Sequence, residues 1–281
     1  MYFLLPAPAK LNLTLRVTSK REDGYHDLVS LFLRIPSMES LRITPLKQAS
    51  CDRVRTLGLE IEGENILLRA LRLAREAGFS VPFLDVEIQK NLPPGSGLGA
   101  GSGNGAALLQ WLAANTPSPV WQQVARSTGA DVSFLFSGAP LALVSGIGDV
   151  IEPLPCFPLS ALVVFPGWKV GTKNAYGELD ERCGGVYSKK ESEARSETDA
   201  LYKALVEGRP CGFLPNDLAS ALLERFPRYS ELFVLFEELG YHAWGITGSG
   251  SAAFALSPKT RLPEVPWPSW VEQVIFLPSL F

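Results

Sequence analysis

The sequence predicts an α+β protein in two lobes, on three observations. Stretches of strict apolar/polar alternation are interspersed with stretches of helical spacing, without the regular strand–helix count of a doubly wound sheet. A run of glycines stands between one alternating stretch and one apolar helical stretch. A proline-dense passage, Ile151–Leu159 with Pro153, Pro155 and Pro158, reads as a crossing between two halves, residues 1–155 and 156–281.

The elements follow in order. Lys10-Leu-Asn-Leu-Thr-Leu-Arg-Val17 places Leu11, Leu13, Leu15 and Val17 on one face and Lys10, Asn12, Thr14 and Arg16 on the other, the pattern of a half-buried strand. Asp23-Gly24 is a turn signal, so a hairpin to a second strand over Val29–Ile35 is expected. Glu64–Ala77 has apolar residues at helical spacing and Gly78 as its stop. Leu84–Gln89 alternates as a strand, and Ala106–Ala114 and Val120–Thr128 read as helices. Leu141–Val144 and Ala161–Phe165 read as strands, and Gly184–Glu197 is polar and weakly patterned. Helices are expected over Thr198–Glu207, Asp217–Phe226 (with Asn216 as its cap) and Ser230–Leu239, while Pro263–Trp270 has no assignable pattern.

An apolar fraction of 46% with 20% charged residues excludes a disordered chain and supports a sizeable core. Lys plus Arg number 26 against 29 Asp plus Glu, a net charge of −3, which argues against a broad basic face for nucleic acid. A small basic site for one phosphorylated metabolite stays open. Cys51, Cys156, Cys183 and Cys211 form no Cys-x-x-Cys pair and only His26 and His242 could join them, so neither a zinc site nor a disulfide framework is expected. His242 has no motif around it and reads as structural. The apolar start Met1–Leu5 lacks the basic segment and length of a signal peptide. No stretch approaches the roughly 18 apolar residues of a membrane span. A cytoplasmic protein is expected.

The most informative stretch is Lys90-Asn-Leu-Pro-Pro-Gly-Ser-Gly-Leu-Gly-Ala-Gly-Ser-Gly-Asn-Gly105. A loop without Cβ atoms lets backbone N–H groups close on phosphate oxygens, and a helix N-terminus behind it adds partial positive charge. A P-loop is excluded, because no lysine lies between Asn91 and Lys169. The dinucleotide fingerprint fits only by force, and the acid it expects about 20 residues on is missing from Pro119–Gln123. Protein-kinase signatures are absent. A flexible linker is the competing reading, weakened by the strand and helix that clamp the loop.

The loop resembles the second motif of the GHMP small-molecule kinases. Pro8-Ala-Lys-Leu-Asn-Leu13 is similar to the first motif and Gly245-Ile-Thr-Gly-Ser-Gly-Ser251 to the third, in order and spacing. Within the superfamily, Asp23-Gly-Tyr-His-Asp-Leu28, Gly129-Ala-Asp131, Gly146-Ile-Gly-Asp149 and Thr172-Lys-Asn-Ala-Tyr176 resemble the branch that acts on a cytidine-diphosphate-linked methylerythritol. The anchors run from residue 8 to residue 256. The chain departs from the family's usual loop at Ala100, Gly103 and Gly105, where glycine, serine and alanine are usual.

What the resemblance implies is specific. The fold would be that of the GHMP kinases, with a ribosomal-protein-S5-domain-2-like first lobe that binds ATP and a ferredoxin-like second lobe. The activity would be transfer of the ATP γ-phosphate to the 2-hydroxyl of the diphosphocytidyl methylerythritol in non-mevalonate isoprenoid synthesis, with Mg2+ accompanying ATP. Another superfamily kinase of homoserine or mevalonate type, or a catalytically impaired metabolite-binding homologue, is the alternative.

By residue pattern alone Asp131 reads as a turn or cap residue and Lys10 as a solvated strand lysine; the resemblance makes Asp131 the base and Lys10 the cation at the transferred phosphoryl group. Pro93, Pro94, Gly95, Ser96, Gly97, Leu98, Gly99, Ala100, Gly101, Ser102 and Gly103 would cradle ATP, with Asn65 near the adenosine. Tyr25 and His26 read either as a packed hairpin tip or as an aromatic pair for a nucleobase; the family reading gives them the cytosine, flanked by Tyr176. Asn12 would meet the methylerythritol end, and Gly248, Ser249 and Gly250 the substrate phosphates. No residue is assigned as a metal ligand, although Ser102 offers a hydroxyl.

Overall fold

Burial on both faces is the first departure from the simple alternating strand. In the computed structural model, which describes residues 1–58, 65–258 and 261–280, Lys10, Asn12 and Thr14 are as buried as the leucines between them. Their polar groups are met internally. Thr14 Oγ1 accepts from the Leu31 amide at 3.0 Å, Asn12 Nδ2 donates to Ser30 Oγ at 3.1 Å, and Ser30 Oγ donates to the Thr14 carbonyl. The expected single strand is therefore divided, because side chains take the bonds that a ladder would use.

In chain order the elements are β1 (Phe3–Asn12), β2 (Arg16–Lys20), β3 (His26–Pro45), β4 (Arg53–Leu57), α1 (Ile66–Glu76), β5 (Leu84–Gln89), α2 (Ala100–Asn115), α3 (Val120–Thr128) and α4 (Ala130–Ser137). Then come β6 (Leu141–Ser145), β7 (Val150–Pro153), β8 (Ser160–Pro166), α5 (Thr172–Cys183), α6 (Glu191–Val206) and β9 (Gly212–Phe213). The last are α7 (Ala219–Arg225), α8 (Tyr229–Glu238), β10 (Ala243–Ile246), β11 (Ala253–Ser257) and β12 (Val271–Leu277).

Two compact units share these elements. The first comprises Met1–Lys10, Arg34–Pro94 and Gly99–Ala139. Its sheet pairs the second half of β3 with β5 antiparallel (Ser40↔Gln89 to Pro45↔Leu84) and β5 with β4 parallel. Four helices, α1 to α4, pack on one another and bury Leu67, Leu71, Leu108, Leu112, Trp121 and Phe134. The helix expected from Glu64 starts at Ile66, with Asn65 as N-cap accepting from the Leu67 amide at 2.9 Å; Glu64 lies outside the described residues.

The second unit comprises Leu11–Leu33, Gly95–Leu98 and Pro140–Phe281. The expected hairpin is present, β2 with β3 from Arg16↔Val29 to Lys20↔His26, turning at Gly24 with φ of +85°. The first half of β3 pairs with β6, and β6 with β7. A mostly antiparallel sheet in the order β12-β8-β11-β10-β9 follows. β8, between β12 and β11, is buried along its whole length, and Tyr229, Leu232 and Phe236 of α8 join its apolar cluster.

Several elements exceed or escape the sequence reading. β3 is 20 residues long. α4, α5 and β10 to β12 were not expected, and α6 begins at Glu191 inside the weakly patterned stretch. Asn216 does not head α7 directly; its Oδ1 accepts from Leu218 N at 2.9 Å while its Nδ2 holds the Ile246 and Gly248 carbonyls.

The largest difference concerns the glycine run. α2 begins at Ala100, so Gly101, Gly103 and Gly105 are helical. A Cβ at Gly103 would stand 1.7 Å from the Pro8 carbonyl oxygen, whereas one at Gly101 meets nothing within 4 Å. Backbone contact with β1, and not loop flexibility, requires glycine at 103. Gly103→Ala is expected to lower stability by about 1–3 kcal/mol or more through overpacking. Gly101→Ala is expected to raise it by up to about 1 kcal/mol through helix propensity. Urea unfolding midpoints of the two variants check this contrast.

Candidate active site

At the start of α2 the helix geometry leaves donors free. Gly99 is the N-cap, in the left-handed region at φ of +63° and with no side-chain cap. Gly103 N bonds the Gly99 carbonyl at 2.9 Å, so the amides of Ala100, Gly101 and Ser102 precede the first intrahelical donor. Three convergent N–H groups and the positive end of a helix of 16 residues suit an anion.

Beside this end lies an ion pair. Lys10 Nζ is 3.6 Å from Asp131 Oδ2, with the lysine side chain 6% exposed and the aspartate 31%. The expectation of a solvated lysine thus gives way to a buried one, because β1 carries Lys10 inward. Asp131 is not a turn residue; it sits in the first turn of α4, whose dipole favours a negative charge there. A Cβ at Gly99 would be 3.0 Å from Asp131 Oδ2 and 3.2 Å from Lys10 Cε. The glycine lets the loop backbone lie directly on the pair.

The preceding part of the loop belongs to the second unit. Gly95 and Gly97 have φ of +74° and +81°, and a Cβ at Gly97 would be 2.1 Å from the Thr247 carbonyl oxygen. The Gly95 carbonyl accepts from Ser251 N at 3.2 Å and the Ser96 carbonyl from Ala252 N at 3.1 Å. These bonds join the first glycine loop to the turn containing Gly248, Ser249 and Gly250. Asn12 N donates to Thr247 Oγ1 at 2.9 Å, and Thr172 Oγ1 lies 3.1 Å from Ser249 Oγ. Behind the turn, Tyr229 donates to the Ser251 carbonyl at 2.5 Å and receives Trp168 Nε1–H at 3.2 Å. Trp270, from the tail without a readable pattern, packs 5.1 Å from Trp168. Burial pushes the Tyr229 phenol well up, so it stays a donor.

Both ends of the loop in the first unit are held by a residue the sequence reading missed. Glu39 Oε2 accepts from Lys90 Nζ and from Asn104 Nδ2, each at 2.8 Å, and Oε1 accepts from Leu92 N at 3.3 Å. The Glu39 and Lys90 side chains are 1% and 6% exposed. Pro93 and Pro94 follow directly, so the carboxylate ties the strand that enters the loop to the helix that leaves it. No local pattern announces Glu39; only its packing does.

A second cluster gathers on the β2–β3 hairpin and α5. The His26 and Tyr176 rings stack at 4.7 Å and 26°. His26 Nε2 is 2.7 Å from Asp180 Oδ1, which also accepts from the Tyr187 hydroxyl at 2.7 Å, while Lys20 Nζ donates to Oδ2 at 2.6 Å. Burial alone would push the Asp180 carboxyl up; the bonds from Lys20, Tyr187 and His26 outweigh that and bring it down to about 2. A cavity of about 650 Å³ lined by Thr18, Lys20, Asp180 and Tyr187 opens here. Tyr25 is 61% exposed. Asp180 and Tyr187 were not expected from sequence.

Known proteins resemble this chain along most of its length. The GHMP kinases N terminal domain matches residues 65–151. The 4-diphosphocytidyl-2-C-methyl-D-erythritol kinase of Porphyromonas gingivalis is 33% identical over 258 residues, covering 88% of this chain and 89% of that one. The enzyme of the same name from Persephonella marina is 32% identical over 273 residues, covering 93% and 94%. Among solved structures, a 4-(cytidine 5'-diphospho)-2C-methyl-D-erythritol kinase superposes with a TM-score of 0.71 at 33% identity, covering 91% of this chain and 90% of that one. The homoserine kinase of Cytophaga hutchinsonii, at 17% identity and a TM-score of 0.59, shares the fold. The fold class is thus the α+β fold of the GHMP small-molecule kinases, as the motifs implied. Within that class the chain belongs to the family of 4-diphosphocytidyl-2-C-methyl-D-erythritol kinases.

The buried carboxylate gives a direct test of how the loop is held. Glu39→Ala leaves the Lys90 ammonium buried and unpaired, at an expected cost of about 3–5 kcal/mol. Glu39→Gln keeps an acceptor and is expected to lose less. Urea unfolding of both variants against wild type checks the order.

Proposed function

We propose that this chain transfers the γ-phosphoryl group of ATP to the 2-hydroxyl of 4-diphosphocytidyl-2-C-methyl-D-erythritol, with Lys10 and Asp131 as its catalytic residues. The observation that carries the assignment of roles is the Lys10–Asp131 pair lying against Gly99 at the N-terminus of α2. The Asp131 carboxylate accepts the hydroxyl proton as the acceptor oxygen bonds to the γ-phosphorus. The bond from that phosphorus to the oxygen it shares with the β-phosphorus breaks, and ADP leaves. Lys10 and the amides of Ala100, Gly101 and Ser102 hold the charge on the transferring oxygens, which is most of what catalysis of phosphoryl transfer requires.

Pro93 to Gly103 hold the ATP phosphates, and Asn65, the N-cap of α1, lies toward the adenosine. Gly248, Ser249 and Gly250 meet the substrate phosphates, Asn12 the methylerythritol end, and Tyr25, His26 and Tyr176 the cytosine. Residues 1–155 form the ATP-binding domain and 156–281 the second domain; β1 to β7 pair with one another before that boundary and β8 to β12 after it.

Mg2+ fits as a companion of ATP. Among the described residues no group of three or more His, Cys, Asp and Glu could cage a metal. This cation commonly keeps its waters and binds through substrate phosphates with few protein ligands. Ser102 offers a hydroxyl, and the ion would supply charge neutralisation on the phosphates. No helix among the described residues is long and apolar enough to cross a membrane, and we place the chain in the cytoplasm, in non-mevalonate isoprenoid synthesis, with a small-molecule substrate and no nucleic-acid partner.

Coupled ADP release with ATP, Mg2+ and the diphosphocytidyl substrate is the test. Wild type is expected to turn over. Asp131→Ala is expected to lose about 10²–10⁴-fold in kcat as a missing base. Lys10→Ala is expected to lose about 10²–10³-fold as a missing charge stabiliser. Substrate binding without ADP release in wild type would overturn the reading in favour of a metabolite-binding homologue.

A further inference from the structure

Asp180 stands out among the groups that the proposed chemistry does not use. Its carboxylate receives donors on both oxygens: His26 Nε2 and the Tyr187 hydroxyl on Oδ1, and Lys20 Nζ on Oδ2. A carboxylate can only accept, so the Nε2 that faces it at 2.7 Å must carry the proton. In a neutral imidazole that leaves Nδ1 with a bare lone pair. The ring is also held in orientation by its stack on Tyr176 at 4.7 Å and by the edge of Tyr187 at 6.1 Å. Lys20 balances the carboxylate's charge from the other side, so Asp180 has a cation besides the imidazole.

We propose that Asp180 is a positioning residue for base selection: by accepting the Nε2 proton it holds His26 in the tautomer whose Nδ1 lone pair accepts from a pyrimidine 4-amino group, so that the site takes a cytidine nucleotide and rejects a uridine one. This deepens the proposed function and rests on its reading that His26 meets the base. The physical asymmetry is simple. Cytosine presents an amino donor at position 4, whereas uracil presents a carbonyl, and a carbonyl facing a lone pair leaves two acceptors without a proton between them. Such unmatched polar groups are what give polar sites their large discrimination. Without Asp180 either tautomer forms, and the one bearing a proton on Nδ1 donates to the uracil carbonyl.

Two measurements test this on the full chain without ATP. Calorimetric binding of CDP and UDP gives the ratio of the two affinities. We expect wild type to favour CDP and Asp180→Ala to reduce that ratio by about 10-fold, the equivalent of one mismatched hydrogen bond. Tyr187→Phe, which removes the other donor on the same oxygen, is expected to leave the ratio unchanged. A purely structural role for Asp180 would weaken both nucleotides alike and keep the ratio, which would overturn the proposal. Nitrogen-15 NMR of the imidazoles reports the tautomer directly, and with only two histidines in the chain His242→Gln assigns the signals. Wild type is expected to show Nε2 protonated and Nδ1 bare, and Asp180→Ala a mixture; a proton on Nδ1 of neutral His26 in wild type would contradict the proposal. His26→Ala separates the two levels of inference. If it leaves CDP binding intact, the reading of His26 as the base contact fails. If it abolishes CDP binding while Asp180→Ala keeps the ratio, only the role of Asp180 fails.

Discussion

Contact of backbone with backbone, without a Cβ between, is the constraint on which the site depends. At Gly97 the neighbour is the Thr247 carbonyl, at Gly103 the Pro8 carbonyl, and at Gly99 the Lys10–Asp131 pair. At Gly97 and Gly103 the contact is closer than any Cβ allows; at Gly99 the neighbours are side chains, which a Cβ would crowd at 3.0 Å. The glycines therefore do more than permit a phosphate to approach. They bring β1 against α2 in the first unit, and the two glycine turns against each other in the second. Replacement of the family's usual serine by Gly103 belongs to the same logic, since in this chain a side chain there would collide with the strand that carries Lys10.

Buried hydrogen bonds hold this arrangement. Glu39 receives Lys90, Leu92 and Asn104; Asn216 ties Leu218, Ile246 and Gly248; Tyr229 holds Ser251 from behind. Buried charges and amides are expensive when unpaired, so such networks define one geometry at the expense of alternatives. Preorganisation of this kind suits a reaction in which the protein supplies position and charge and takes up a proton.

Much of this was legible in the sequence, and the reasons for the rest are physical. Leu84–Gln89 and Val120–Thr128 were found at their observed bounds because their periodicity is undisturbed. The order of strand, glycine loop and helix was legible; the first and third GHMP motifs pointed to Lys10 and the second glycine turn, and the separate Gly129-Ala-Asp131 segment pointed to Asp131. α4 was missed because Val132-Ser-Phe-Leu-Phe136 is a short apolar run without a readable period, and the start of α2 was hidden by glycines that favour loops. Lys10, Asn12 and Thr14 looked solvated because alternation reports one buried face, not two. Glu39, Asp180 and Tyr187 have no local signature; their partners lie from 7 to 160 residues away.

The central claim is that the N-terminus of α2, with Lys10 and Asp131, is where phosphate meets the acceptor hydroxyl. Co-crystallisation with a non-hydrolysable ATP analogue and the diphosphocytidyl substrate tests it most directly. The account predicts γ-phosphate oxygens within hydrogen-bond reach of the Gly101 and Ser102 amides and of Lys10, with the 2-hydroxyl donating to Asp131. A triphosphate bound away from α2, or an acceptor hydroxyl facing any group other than Asp131, would contradict it.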